Sequence, residues 1–172
     1  MPAPFEVIAS LEGLAATFTH ASGNLPQAVS DWVEACKTVM RNAVDRNKTD
    51  WDFVSTSIDL DETEEEIDTG AVTLYGVLGI VKAEAQDVIF SWYNVATGTN
   101  PTVASTDLND GGQLSGSFVV PSASASITAA RGIVIPGGQV LSAGLKIAAS
   151  ERDEGTAIAA DSCQAFVLWR TN

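Results

Sequence analysis

Residues 72–95 constrain the fold more than any other part of the chain. They read VTLYGVLGIV, then KAEAQD, then VIFSWYNV. Two runs of β-branched and aromatic residues flank a short polar connector, which predicts a pair of strands. On the first, alternation puts Val72, Leu74, Leu78 and Ile80 on one face and Tyr75, Val77 and Val81 on the other. On the second, Val88, Phe90 and Trp92 alternate with Ile89, Tyr93 and Val95. Both faces are apolar, whereas a sheet wetted on one side alternates apolar with polar. The pair is therefore expected in mid-sheet within a sandwich, or with one face pressed on a neighbouring subunit. Gly76 and Gly79 weaken such a strand unless a bulge or a close packing partner requires them.

The turn signals elsewhere fit the same class. From residue 53 onward seven or eight short strands are expected, without the βα alternation of a parallel sheet. FVSTSIDL (53–60), SFVVP (117–121), residues 132–135, VLSAGLKIAAS (140–150), residues 156–160 and residues 163–170 read as strands. Pro136-Gly137-Gly138 reads as a turn, SASASITAARG (122–132) as a small-residue linker or edge, and ERDEG (151–155) as a hairpin tip. The expected fold is mainly β: an antiparallel β-sandwich, jelly-roll-like, preceded by an N-terminal arm and one amphipathic helix. Residues 1–50 form the arm and helix, and residues 51–172 form the sandwich.

The helix is expected over residues 25–46. Leu25, Val29, Trp32, Val33, Cys36, Val39, Met40 and Ala43 recur at three- and four-residue steps. Asn24 is the expected N-cap, and Pro26 is tolerated in the first turn. Trp32 and Val33 should be buried. Lys37, Arg41, Arg46 and Lys48 give its later half a basic rim. Residues 1–23 hold either a short helix near residues 8–16 or an extended arm that orders against a partner. The arm is favoured, because a freely disordered tail would carry more charge.

The 172 residues carry 22 acids and nine bases, a formal net charge of −13. That balance argues against binding nucleic acid, which needs clustered Lys and Arg, and against an anionic membrane surface. No run reaches membrane-spanning length and no secretory signal opens the chain, so folding in a cytoplasm is expected. Asn47-Lys48-Thr49 fits a glycosylation pattern but has no secretory context. Cys36 and Cys163 are read as buried reduced thiols, because a disulfide framework needs more cysteines at tighter spacing.

Chemistry-bearing patterns are weak. DLDETEEEID (59–68) holds seven acids in ten residues. A calcium loop of the EF-hand type needs Gly at its sixth position, where Glu64 stands, so a solvated acidic loop is expected. DLNDGG (107–112) lacks metal-ligand spacing and reads as a turn. His20, the single histidine, has no Cys or acid cluster beside it. No phosphate-binding Gly loop, triad spacing or CxxC pair appears. No cofactor, metal or catalytic residue is assigned, and no enzyme is expected.

Short motifs from residue 74 onward resemble a recurrent pattern in tailed-bacteriophage virion proteins. Tyr75-Gly76 lies in a strand, and a Thr/Gly-rich loop covers residues 91–99. Val119-Val120-Pro121, the IPGG of residues 135–138, the SAGL of residues 142–145 and a closing apolar strand over residues 166–170 follow. The resemblance implies a capsid decoration, cement or fibre-like β-sandwich: a structural protein on the capsid surface of the virion, assembled in the host cytoplasm. The implied partner is the major capsid protein. The two-faced apolar strands add a homo-oligomer, a trimer first. A tail-fibre or carbohydrate-binding sandwich is the alternative; it would expose aromatics, whereas Trp32, Trp51, Trp92 and Trp169 occupy core-like positions.

Attachment is expected through the N-terminal end. The first 50 residues carry six acids and four bases, against sixteen and five in the remainder, so the near-neutral end meets an acidic shell with less repulsion. The partner-binding candidates are Phe5, Val7, Ile8, Leu11 and Leu14 on the arm, and Lys37 and Arg41 on the helix. On this reading, deleting residues 2–23 leaves the sandwich folded and abolishes capsid binding, while residues 59–68 face solvent.

Overall fold

The computed structural model describes residues 4–43, 51–61, 63–82, 84, 86–95, 114–122, 128–151 and 158–172. Of the strand expected over residues 156–160, residues 156–157 lie outside them and residues 158–160 form no strand; residues 96–113 with DLNDGG, the charged tip over 152–155, Asn47, and the basic residues Arg46 and Lys48 also lie outside them. The described residues form two helices, α1 (Pro4–Thr17) and α2 (Leu25–Asn42), then eight strands. These are β1 (Trp51–Ser55), β2 (Glu65–Asp68), β3 (Val72–Lys82), β4 (Val88–Tyr93), β5 (Leu114–Val120), β6 (Thr128–Leu141), β7 (Leu145–Glu151) and β8 (Cys163–Thr171).

The strands make two antiparallel four-stranded sheets, ordered β1-β8-β3-β6 and β2-β7-β4-β5. Each step along the chain changes sheet, except β4 to β5. This is the double-sheet jelly roll, which covers the inner face of each sheet with the other. Between the sheets lie Val72, Leu74, Val77, Val81, Ala165, Val167 and Trp169 from the first and Val88, Phe90, Trp92, Phe118, Leu145 and Ile147 from the second. The outer face of the first sheet is covered in turn by α1 and α2, through Tyr75, Leu78, Ile80, Phe166, Leu168 and Trp51. The body therefore has three layers.

This arrangement explains the two-faced apolar strand. β3 sits in the middle layer, with every residue from Val72 to Val81 buried. Its second face is closed by the chain's own helices and not by a neighbouring subunit. Burying Leu74 and Leu78 contributes about 1.5–3 kcal/mol each. The face assignment from simple alternation is corrected at one point. Opposite Tyr75 the register shifts, between Leu74 and Gly76. The bulge flips parity, so Leu78 and Ile80 face the helices while Val77 and Val81 face the other sheet. Gly76 belongs to that bulge, and Gly79 lies directly under the Phe90 ring. A Cβ on Gly79 would stand 2.7 Å from two carbons of that ring. Gly79→Ala is expected to destabilise by about 1–3 kcal/mol through overpacking, measured by urea unfolding.

IPGG is not a chain reversal. β6 runs straight through it, with Leu74 paired to Gln139 and Gly76 to Val134, so residues 135–138 bulge out opposite Tyr75. β6 is an edge strand, and an edge bulge is where a proline without an N–H fits a sheet. Gly138 takes a φ of +72° there, which a side chain would strain. The reversal into β7 comes at Ser142–Gly144 instead. Residues 128–131, expected as linker, form the start of β6.

The acidic stretch is also not a free loop. Its second half is the edge strand β2, and its carboxylates are used internally. Asp59 accepts from the Asp161 amide (3.0 Å), Asp61 from Thr63 (2.7 Å), Glu65 from the Ser57 amide (3.1 Å), and Asp68 from Gly70 (2.8 Å) and the Trp169 indole (3.3 Å). Glu64 takes the Lys146 ammonium at 3.4 Å, both side chains being only 6% exposed. Short polar side chains bound to nearby amides build turns; a run of charge alone does not show that use.

Candidate partner-binding site

The expected arm is helix α1. Val7, Leu11 and Leu14 recur at four and three residues, the spacing of one helix face, and all three are buried against α2 and the first sheet. Ile8 is half-buried, while Phe5 is 70% exposed. Three of the five arm candidates are thus already covered by their own chain. Deleting residues 2–23 strips the cover from α2 and the sheet rather than removing a free arm.

α2 begins as the sequence indicates, but Asn24 does not cap it with its side chain. Its amide instead pairs with the β6 backbone, donating to the Ala130 carbonyl (2.9 Å) and accepting the Ala130 N–H (3.0 Å). The side chain completes one rung of an edge strand and ties the helix start to it, blunting that edge against pairing with another strand. Trp32 and Val33 are buried as expected. Cys36 and Cys163 are both buried and neither forms a disulfide, and burial pushes the Cys36 thiol far up from its ordinary range.

The basic rim resolves into two different residues. Lys37 is pinned between Glu12 of α1 (2.8 Å) and Glu34 of α2 (2.9 Å). Its side chain is 10% exposed and the two carboxylates 57% and 62%. The hydrogen bond to Glu12, then that to Glu34, raises the Lys37 pKa, and the hydrogen bond to Lys37 lowers that of Glu34. Lys37 is thus a clasp between the helices, and Arg41 is the described cation that stays exposed on α2. A group with a lowered folded pKa stabilises above its ordinary range and loses that contribution as pH falls. One with a raised folded pKa loses it as pH rises. Lys37→Met, which keeps the apolar stem, is expected to change stability little near neutrality, where exposed ion pairs contribute little. It should flatten both the acid and the alkaline limbs of the stability profile, read as urea midpoints across pH.

The described surface also carries an apolar groove. A groove of about 590 Å³ opens where the α1–α2 connection meets the ends of β3 and β8. Phe18, Leu25 and Ile80 line it, Ile58 stands 55% exposed at its edge, and Lys82 and Asp161 carry its charges. Phe18 lies in a stretch whose sequence carries no period, and Ile58 in one whose alternation predicts a strand over residues 53–60, whereas β1 ends at Ser55 and leaves Ile58 at the groove. His20 is exposed beyond α1. Among the described residues no three His, Cys, Asp or Glu groups come together in a way that could hold a metal ion. No helix is long and apolar enough to cross a membrane.

No protein-family model matches the chain, and no curated protein matches it. Among solved structures it is similar to the coat protein of Tobacco streak virus, at 11% identity and a TM-score of 0.31, over 72% of this chain and 87% of that one. A dimer structure of the same coat protein gives 13% identity and the same TM-score, over 72% of this chain and 88% of that one. A structure of infectious bursal disease virus, Gx strain, gives 14% identity and a TM-score of 0.31, over 70% of this chain and 29% of that one.

Proposed function

We propose that this chain is a structural protein of a virion, which binds the outer capsid surface of a tailed bacteriophage as a decoration, or cement, protein and stabilises the shell. The observation that carries the reading is the strand order β1-β8-β3-β6 and β2-β7-β4-β5. Double-sheet jelly rolls serve viral capsids, lectins and cupins, so the fold supports the reading by analogy and the interior must separate the three. Here the space between the sheets is packed with Phe90, Phe118, Trp92 and Trp169. A ligand chamber of the cupin kind has no room there. All four tryptophans are buried, so none forms the exposed aromatic platform on which a sugar-binding sandwich relies. What the body offers is a rigid, filled, strongly acidic block, which suits mechanical support of a shell.

Attachment through the helical layer follows from charge. The near-neutral helical end approaches an acidic shell with less repulsion than the sandwich does, and Arg41 is its exposed cation. The test is co-sedimentation of the intact protein with purified tailed-phage capsids. Pelleting with the capsids, weakened by Arg41→Glu, is the expected result. Protein that stays in the supernatant at every capsid concentration contradicts the reading.

A further inference from the structure

Among the described residues, the largest exposed apolar side chain and this apolar groove lie at opposite ends of α1. Phe5, at its second residue, projects 70% exposed into solvent. The groove begins at Phe18, one residue beyond the helix's last. A helix of 14 residues is about 20 Å long at 1.5 Å per residue, so Phe5 cannot reach its own chain's groove. A second copy can supply it.

The charges on the two surfaces match. Asp161, exposed at the groove, suits the positively polarised amide end of α1 that carries Phe5. Lys82, on the same groove, suits Glu6, the residue after Phe5. The apolar match is equally direct: a phenyl ring against Phe18, Leu25, Ile58 and Ile80, with Ile58 losing its own exposure.

We propose that copies of this chain associate head to tail, Phe5 of one copy seated in the groove formed by Phe18, Leu25, Ile58 and Ile80 of the next. Such a contact joins two different surfaces, so it repeats from copy to copy and closes into a ring or continues, depending on the rotation per step. It replaces the covered faces of β3 as the site of self-association. One ring buries far less than the roughly 1,000 Å² of a stable pair, so the association is weak in free solution and gains strength where many copies are held side by side. The inference rests on this geometry and not on what the protein decorates.

Disulfide trapping tests it in a Cys163→Ala background, because Cys163 lines the same groove, while Cys36 is buried in the helical layer. The double variant Phe5→Cys, Ile58→Cys, mildly oxidised, is expected to give a ladder of linked chains on a non-reducing gel. An equal mixture of the two single variants should give a linked dimer, and Phe5→Cys alone little. A double variant that stays monomeric, or Phe5→Cys alone linking as well as the mixture, overturns the proposal. Both positions are exposed, so folding is not at risk. Sedimentation equilibrium of chains with native cysteines adds a second readout. Phe5→Ser should lower the average mass at high concentration, Lys82→Glu should do the same, and adding Glu6→Lys to Lys82→Glu should restore it. A wild-type chain that is monomeric throughout, or one whose association ignores Phe5→Ser, overturns it too. Capsid co-sedimentation is a separate measurement, so a failure there is distinct from a failure here.

Discussion

Trp32→Ala is expected to destabilise the protein by about 3–5 kcal/mol. Trp32 is 3% exposed and joins α2 to the first sheet. Its indole N–H donates to the Ile133 carbonyl at 3.0 Å, next to the β6 bulge. Its ring lies on Gly132 so closely that a Cβ there would stand 2.4 Å from the indole. Truncation leaves a cavity over a residue that has no side chain to fill it, and a carbonyl without its donor. Urea unfolding should show a lower midpoint with an unchanged slope. The glycine gives an internal control. Gly132→Ala should harm the wild type, by clashing with the indole, and harm the Trp32→Ala background much less, a coupling that a double-mutant cycle measures. A loss under about 1 kcal/mol for Trp32→Ala would put the helix in solvent and remove the third layer.

Lys146→Met is expected to destabilise by about 3–5 kcal/mol, because it leaves the Glu64 carboxylate buried without its cation. Both side chains are 6% exposed and the nitrogen–oxygen distance is 3.4 Å. The pair joins β7 to the residue just before the edge strand β2, whose register is itself irregular. The asymmetry of buried pairs makes the test specific. Replacing both partners, Lys146→Met with Glu64→Leu, removes the desolvated charges together and should recover most of the loss. If the single variant is nearly neutral, the carboxylate reaches water and β2 is looser than the ion pair indicates.

The architecture was legible in the sequence, and the details that failed did so for local reasons. Alternation identified β3 and β4, and three- and four-residue steps identified α2 with Trp32 and Val33 inward. Alternation could not show the bulge at Tyr75 and Gly76, since one shifted residue reverses every face beyond it. IPGG carries strong turn chemistry, but β6 lies on an edge, where a bulge accommodates the same residues. The carboxylates of residues 59–68 read as solvated because their partners, Lys146, Trp169 and the Asp161 amide, lie about 80–100 residues away in sequence. Much the same separation hid the role of Asn24 on Ala130.

The partner-binding candidates were the least legible. Val7, Leu11 and Leu14 were recognised as apolar, but an apolar stripe on a short segment does not say whether its own chain or another covers it. Here its own chain does, leaving Phe5 and Arg41 outside. The position of Lys37 late in α2 points to a basic rim, whereas two glutamates, one on each helix, turn it inward.

Amide hydrogen exchange in α1 tests the three-layer body most directly. If Val7, Leu11 and Leu14 belong to the same core as Leu78 and Phe166, the amides of residues 11 and 14 should open only with large-scale unfolding, at free energies close to those of β3 and β8. Exchange in α1 at the rate of a free peptide, while β3 and β8 remain protected, would contradict the helices' place as a structural layer.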